Sequence, residues 1–237
     1  MRPSVRILLL SIVLLAATRA LASPPDRFEF VLHDGLTATD VAHLDVALHQ
    51  AYEPILTKLG LEHLPTIRVQ IWRDEEAYQA MMERSLGSRA PGSRGYAYGG
   101  EELRLLYHTM LSAQREAVHE FAHVATLNLN AGFGNNPRWL WEAVAIYLAG
   151  EFVDPSDSGL FADGACPSLR ELNAPFDNGG SIYAAGFLLI EFIDANRGFQ
   201  QVIDLVHSNG DLQATLGIDD REFERRWCES VLRDYSD

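Results

Sequence analysis

The chain predicts an α+β fold, with a small mixed β-sheet and its helices near the beginning and a mainly helical half after it. Three observations carry this expectation. Apolar alternation of period two is confined to segments before residue 110, apolar spacing of three and four dominates from residue 112 onward, and no repeat or regular β-α alternation runs through the sequence.

Residues 28–32 alternate loosely and end in His33-Asp34-Gly35, a strand followed by a turn. A helix follows, with Asp40 as its cap, Val41, Leu44, Leu48, Tyr52, Ile55, Leu56 and Leu59 at helical spacing, and Gly60 as its stop. His43 and His49 lie six apart on this helix and do not share a face as a ligand pair would. Residues 66–72 set Ile67, Val69 and Ile71 against polar neighbours, as a half-buried strand does, and Asp74 starts a short helix through Met82. Residues 85–102 are rich in Gly, Ser and Arg and enclose Tyr96 and Tyr98. The short apolar strand at 103–107 is then either an open sheet edge, to which an extended peptide can add, or an arm of an ordinary hairpin.

From 112 to 128 the stripe Val118, Phe121, Ala122, Ala125 and Leu129 marks a core helix. A loop of Asn and Gly leads to Pro137 at a first-turn position, and 139–148 forms a second apolar helix. Residues 151–180 are mostly loop. Apolar helices follow at 181–196 and 199–208, and 219–235 is an amphipathic closing helix.

Arg2 and Arg6, an apolar run at 7–17 and the exit Ala20-Leu21-Ala22 have the order of a secretory signal peptide, with cleavage after Ala22 and one domain over 23–237. The apolar run is shorter than the roughly 18 residues that span a bilayer, so no stable membrane insertion is expected after cleavage. The whole chain carries a net charge of −14, and loss of the three leader arginines leaves 16 basic against 33 acidic residues. Such an anionic surface repels nucleic acid and anionic lipid. An exported, periplasmic or secreted, protein is expected, with partners that are neutral or basic, or small peptides. Cys166 and Cys228 are the only cysteines, and in an exported chain an even count reads as one disulfide, the alternative being two buried thiols.

The segment His119-Glu120-Phe121-Ala122-His123 reads HExxH. Four positions on a helix are about 400° of rotation, so both imidazoles leave one face as two zinc ligands. Glu120 between them is placed to take a proton from a metal-bound water. A catalytic zinc needs a third protein ligand and an open fourth position, and Glu142, eighteen residues beyond His123, supplies a carboxylate on the next helix. The longer motif HExxHxxGxxH is absent, since Thr126 and Leu129 stand where it needs Gly and His.

These residues, with Pro137-Arg138-Trp139-Leu140-Trp141-Glu142 and Tyr183-Ala184-Ala185-Gly186-Phe187, resemble the gluzincin metallopeptidases. The resemblance is closest to the compact peptidase MA-like domains of exported bacterial proteins, with aminopeptidase N and thermolysin as better-known relatives. It implies a thermolysin-like zincin domain and one Zn²⁺ per chain, held by His119, His123 and Glu142. It also implies peptide-bond hydrolysis by a zinc-activated water, with Glu120 as general base and Tyr183 as a donor to the oxyanion. Two departures restrict the expectation. Ile146 stands where the family has an acid that orients a ligand histidine. The G-x-M-E-N segment of aminopeptidases is missing, so aminopeptidase specificity is not supported, and an endopeptidase or a related amide hydrolase, with a peptide or protein substrate, is expected. The alternative is a silent metal-binding or interaction module, although an uncoordinated Glu120 has no purpose in a purely structural site.

Overall fold

Ile67, Val69 and Ile71 are fully buried and Trp72 faces the other way, a period of two that places strand β2 (Ile67–Trp72) between two packed layers. The computed structural model describes residues 26–161, 163–174 and 181–235, so the leader expected at 1–22 lies outside the described residues.

The sheet runs β1-β2-β4-β3, with β1 (Phe28–Leu32), β3 (Gly95–Ala97) and β4 (Glu102–Leu106). β1 and β4 both pair parallel to β2, and β3 pairs antiparallel to β4. Parallel neighbours need long crossovers, and α1 (Ala38–Leu59) and α2 (Glu75–Leu86) provide them. The mixed sheet agrees with expectation, and of the two readings of β4 the hairpin is the one observed. β4 is paired on both sides, antiparallel to β3, and β3, a three-residue strand inside the Gly-, Ser- and Arg-rich segment, is one edge of the sheet, with β1 the other.

One sheet face carries Ile67, Val69, Ile71, Leu103 and Leu105 into the main core, against α1 and α3 (Met110–Leu129). On the other face Trp72 and Leu106 meet Tyr78, Met81 and Met82 of α2 in a smaller cluster. With the sheet on one side and α1 and α4 (Arg138–Leu148) on others, α3 is buried continuously from His119 to Thr126 rather than along a stripe, while Val118 is only half-buried.

α7 (Ser181–Arg197) crosses α4 closely at Gly186, where an added Cβ would stand 2.7 Å from Ile146 Cδ1 and 3.0 Å from Ala143 Cα. Short helices α5 (Pro155–Ser158) and α6 (Leu169–Leu172) interrupt the expected loop, and α8 (Gln200–His207), α9 (Leu212–Leu216) and α10 (Asp220–Tyr235) complete the chain. Among the described residues no helix is long and apolar enough to cross a membrane.

Two caps differ from the sequence reading. Thr37, not Asp40, caps α1, and Asp40 closes a capping box by accepting from the Thr37 backbone N–H at 2.8 Å. Pro137 lies one residue before α4 rather than in its first turn. Cys166 and Cys228 form a disulfide that joins the segment before α6 to α10. Beside it the Leu169 N–H donates to Glu224 Oε1 at 2.7 Å, and Asn173 Oδ1 accepts from the Trp139 N–H at 3.0 Å. The disulfide-linked segment is thereby attached to the first turn of α4.

Candidate metal centre

α3 is capped by Thr109, whose hydroxyl accepts from the Ser112 N–H, and runs unbroken through the histidines. Helical geometry therefore brings His119 and His123 together edge to face, with ring centroids 4.7 Å apart. Glu142 approaches from α4. Its Oε2 lies 3.3 Å from His119 Nε2 and 3.7 Å from His123 Nε2, and the three side chains are buried.

Ligands about 2.0–2.1 Å from a small divalent cation such as zinc stand about 3.3 Å apart along each edge of a tetrahedron. The observed separations fit that edge, and the three ligand atoms all lie within 4.8 Å of one another. His119, His123 and Glu142 thus form a buried group able to hold one metal ion, with donors of the type that borderline cations take.

The electrostatics favour a cation. Burial alone would raise the Glu142 carboxyl, but the two imidazoles outweigh it and hold the group well below the usual carboxylate range. Burial likewise lowers His119, yet Glu142 and Glu151 push its imidazole up to about 10, so that it carries a proton where no cation is bound. His123 is drawn down to about 4 by burial, and stays a neutral donor of a lone pair. Glu120 is pushed up to about 8 by burial, with the neighbouring Glu142, Glu116 and Glu151 charges adding to the shift. Several carboxylates thus surround two imidazoles in a poorly solvated place, and positive charge is what this arrangement lacks.

Glu120 is buried beside the triad, and its Oε2 has no hydrogen-bond partner among the described residues. Room for it depends on the edge strand, because a Cβ at Gly95 would stand 2.8 Å from Glu120 Cγ and 3.0 Å from its Oε1. A cavity of about 550 Å³ opens over the triad, walled by Leu86, Tyr96 and Ala97 on one side and by Arg138, Trp141 and Tyr183 on the other. The Tyr183 ring centroid is 6.4 Å from that of His119. Burial and the Glu142 charge hold its phenol well above the ordinary tyrosine range, so it remains a donor.

All five residues singled out by the sequence, His119, Glu120, His123, Glu142 and Tyr183, line this one cavity. Three others escape a reading by spacing. Trp141 stacks on His123, the edge strand β3 forms a wall, and Glu151 places Oε2 at 3.2 Å from His119 Nδ1. The stop signal Gly150 hints that the chain turns at that point, but nothing local shows that Glu151 turns back toward α3. No protein-family model, no curated protein and no solved structure matches this chain.

Proposed function

We propose that this chain is an exported zinc metallopeptidase of the gluzincin type, an endopeptidase built on a thermolysin-like zincin fold. The observation that carries the reading is the convergence of His119, His123 and Glu142 on one buried position, with the uncoordinated Glu120 beside it. The disulfide supports an oxidising compartment.

His119, His123 and Glu142 would hold the cation, and a bound zinc would supply polarisation of a peptide carbonyl, acidification of water and a positive charge that favours the ionised form of Glu120. Glu120 takes the proton of the attacking water and passes it to the leaving amine, a role that requires a carboxylate within reach of the triad but not part of it. Tyr183 donates a hydrogen bond to the carbonyl oxygen as negative charge develops there. β3 presents an edge beside the cavity, along which an extended peptide can lie as one more strand. Leu86, Ala97 and Trp141 give the cavity apolar walls against which substrate side chains can pack.

Elemental analysis of the purified mature protein, with a peptide-library digest of wild type and Glu120→Gln, tests the reading. The expected result is about one zinc per chain in both forms and cleavage by the wild type alone. Zinc without cleavage by either form would favour a silent binding module, and cleavage that survives Glu120→Gln would sink the mechanism.

A further inference from the structure

α4 ends in a Schellman turn. The Gly150 N–H donates to Tyr147 O at 3.1 Å, the Glu151 N–H donates to Ile146 O at 2.9 Å, and Gly150 sits in the left-handed region at φ 69°. A residue with a Cβ would be strained at position 150, so glycine lets the chain reverse sharply and places Glu151 at a set position relative to α4. From there its carboxylate returns to α3 and meets the ring nitrogen of His119 that faces away from Glu142.

A carboxylate only accepts hydrogen bonds, so a 3.2 Å contact to Glu151 Oε2 requires a proton on His119 Nδ1. Where the imidazole is neutral, Nε2 is then the nitrogen with the lone pair, and it lies 3.3 Å from Glu142 Oε2. His123 has no comparable partner, since its Nδ1 is buried without an acceptor among the described residues and its ring is held by Trp141 instead.

We propose that Glu151 is the positioning residue of the metal centre, the carboxylate that holds His119 in its Nδ1–H tautomer with Nε2 directed at the cation. The inference rests on the metal-centre reading above. It also accounts for Ile146: the acid absent from the body of α4 is supplied by the turn that ends the helix. One helix and its terminal turn therefore bring a carboxylate to each side of the same imidazole, Glu142 at Nε2 and Glu151 at Nδ1.

The test compares wild type, Glu151→Gln and Glu151→Ala by zinc affinity, in competition with a chelator, and by the position of the remaining His119 ring proton in long-range ¹H–¹⁵N spectra of the zinc-loaded protein. Gln keeps an acceptor in nearly the same volume and serves as the conservative rescue. The expected result is a zinc affinity about 10- to 100-fold weaker for Glu151→Ala, with substantial recovery in Glu151→Gln. The Nδ1–H form should persist in wild type and Gln and become mixed in Ala. If Glu151→Ala binds zinc as wild type does and keeps the tautomer, Glu151 has no positioning role, while the metal-centre reading stands. A wild-type chain that binds no zinc overturns that reading and this inference with it.

Discussion

The imidazole of His123 lies flat on the indole of Trp141, with centroids 3.9 Å apart and planes 8° from parallel. Trp141 immediately precedes Glu142 on α4, so one ligand arrives on the same turn as the platform for another. A cation on His123 makes its ring more positive, and the electron-rich indole face stabilises it further. Trp141→Phe is therefore expected to retain most of the zinc affinity. Trp141→Ala should lose about 10-fold or more and about 3–5 kcal/mol of stability, read by chelator competition and thermal melts. Equal affinity in all three forms would show that the stack is packing alone.

Gly95 is the point at which the sheet edge and the proposed base come closest. Gly95→Ala places a methyl group 2.8 Å from Glu120 Cγ and 3.0 Å from Leu105 Cδ2, and the side chain must move. Because displacement of a reacting group by ~1 Å costs on the order of 100-fold in rate, turnover should fall steeply. Zinc content should not change, since the atoms nearest the added methyl group belong to Glu120 and Leu105 and not to the triad. Unchanged turnover on a peptide substrate would count against Glu120 as the base.

In the proposed mechanism Tyr183 donates to the carbonyl oxygen as charge develops there. Removing its hydroxyl in Tyr183→Phe should lower kcat by about 10²- to 10³-fold while KM changes little. An unchanged kcat would leave Tyr183 with a packing role only.

Asp194 ties three helices together, accepting from Lys58 Nζ of α1 at 2.7 Å and from the Tyr147 hydroxyl of α4 at 2.8 Å. Burial would raise its carboxyl, but Lys58 and Tyr147 prevail and hold it below the usual range. A carboxyl depressed in the folded state stabilises the fold fully above its unfolded value, about 3.9, and loses that contribution as pH falls through the lower folded value. Melting temperature should therefore drop below about pH 4. Asp194→Asn should lower it at neutral pH and flatten its acid slope, and an unaltered slope would remove Asp194 from the account.

The disulfide closes a sequence separation of 62 residues, which stabilises the fold by about 4 kcal/mol in the chain-entropy model. For a domain of this size, replacing both cysteines by serine should lower the melting temperature by roughly 10 °C. Because the bridged segment also caps α4 through Asn173, zinc affinity should weaken as well. Retention of full affinity after the double substitution would show that Asn173 holds α4 without the bridge.

The sequence by itself determined what depends on neighbours along one helix. The 3.6-residue period puts His119 and His123 on one face with Glu120 beside them, and the apolar spacing around Trp139 and Trp141 marks the next helix as buried, with Glu142 on it. The α+β order followed from where period two gives way to the helical period. The pairing of Cys166 with Cys228 followed from there being no other cysteine. Tertiary structure decided everything that depends on distance across the chain: that the residues of β3 form the sheet edge, that Gly95 must leave room for Glu120, that Trp141 lies under His123, and that Glu151 returns to His119. The backbone reversal at Gly150 illustrates the reason. Its glycine is readable as a helix stop, but the direction in which Glu151 then points depends on how α4 packs against α3, and that packing is settled by many buried side chains at once.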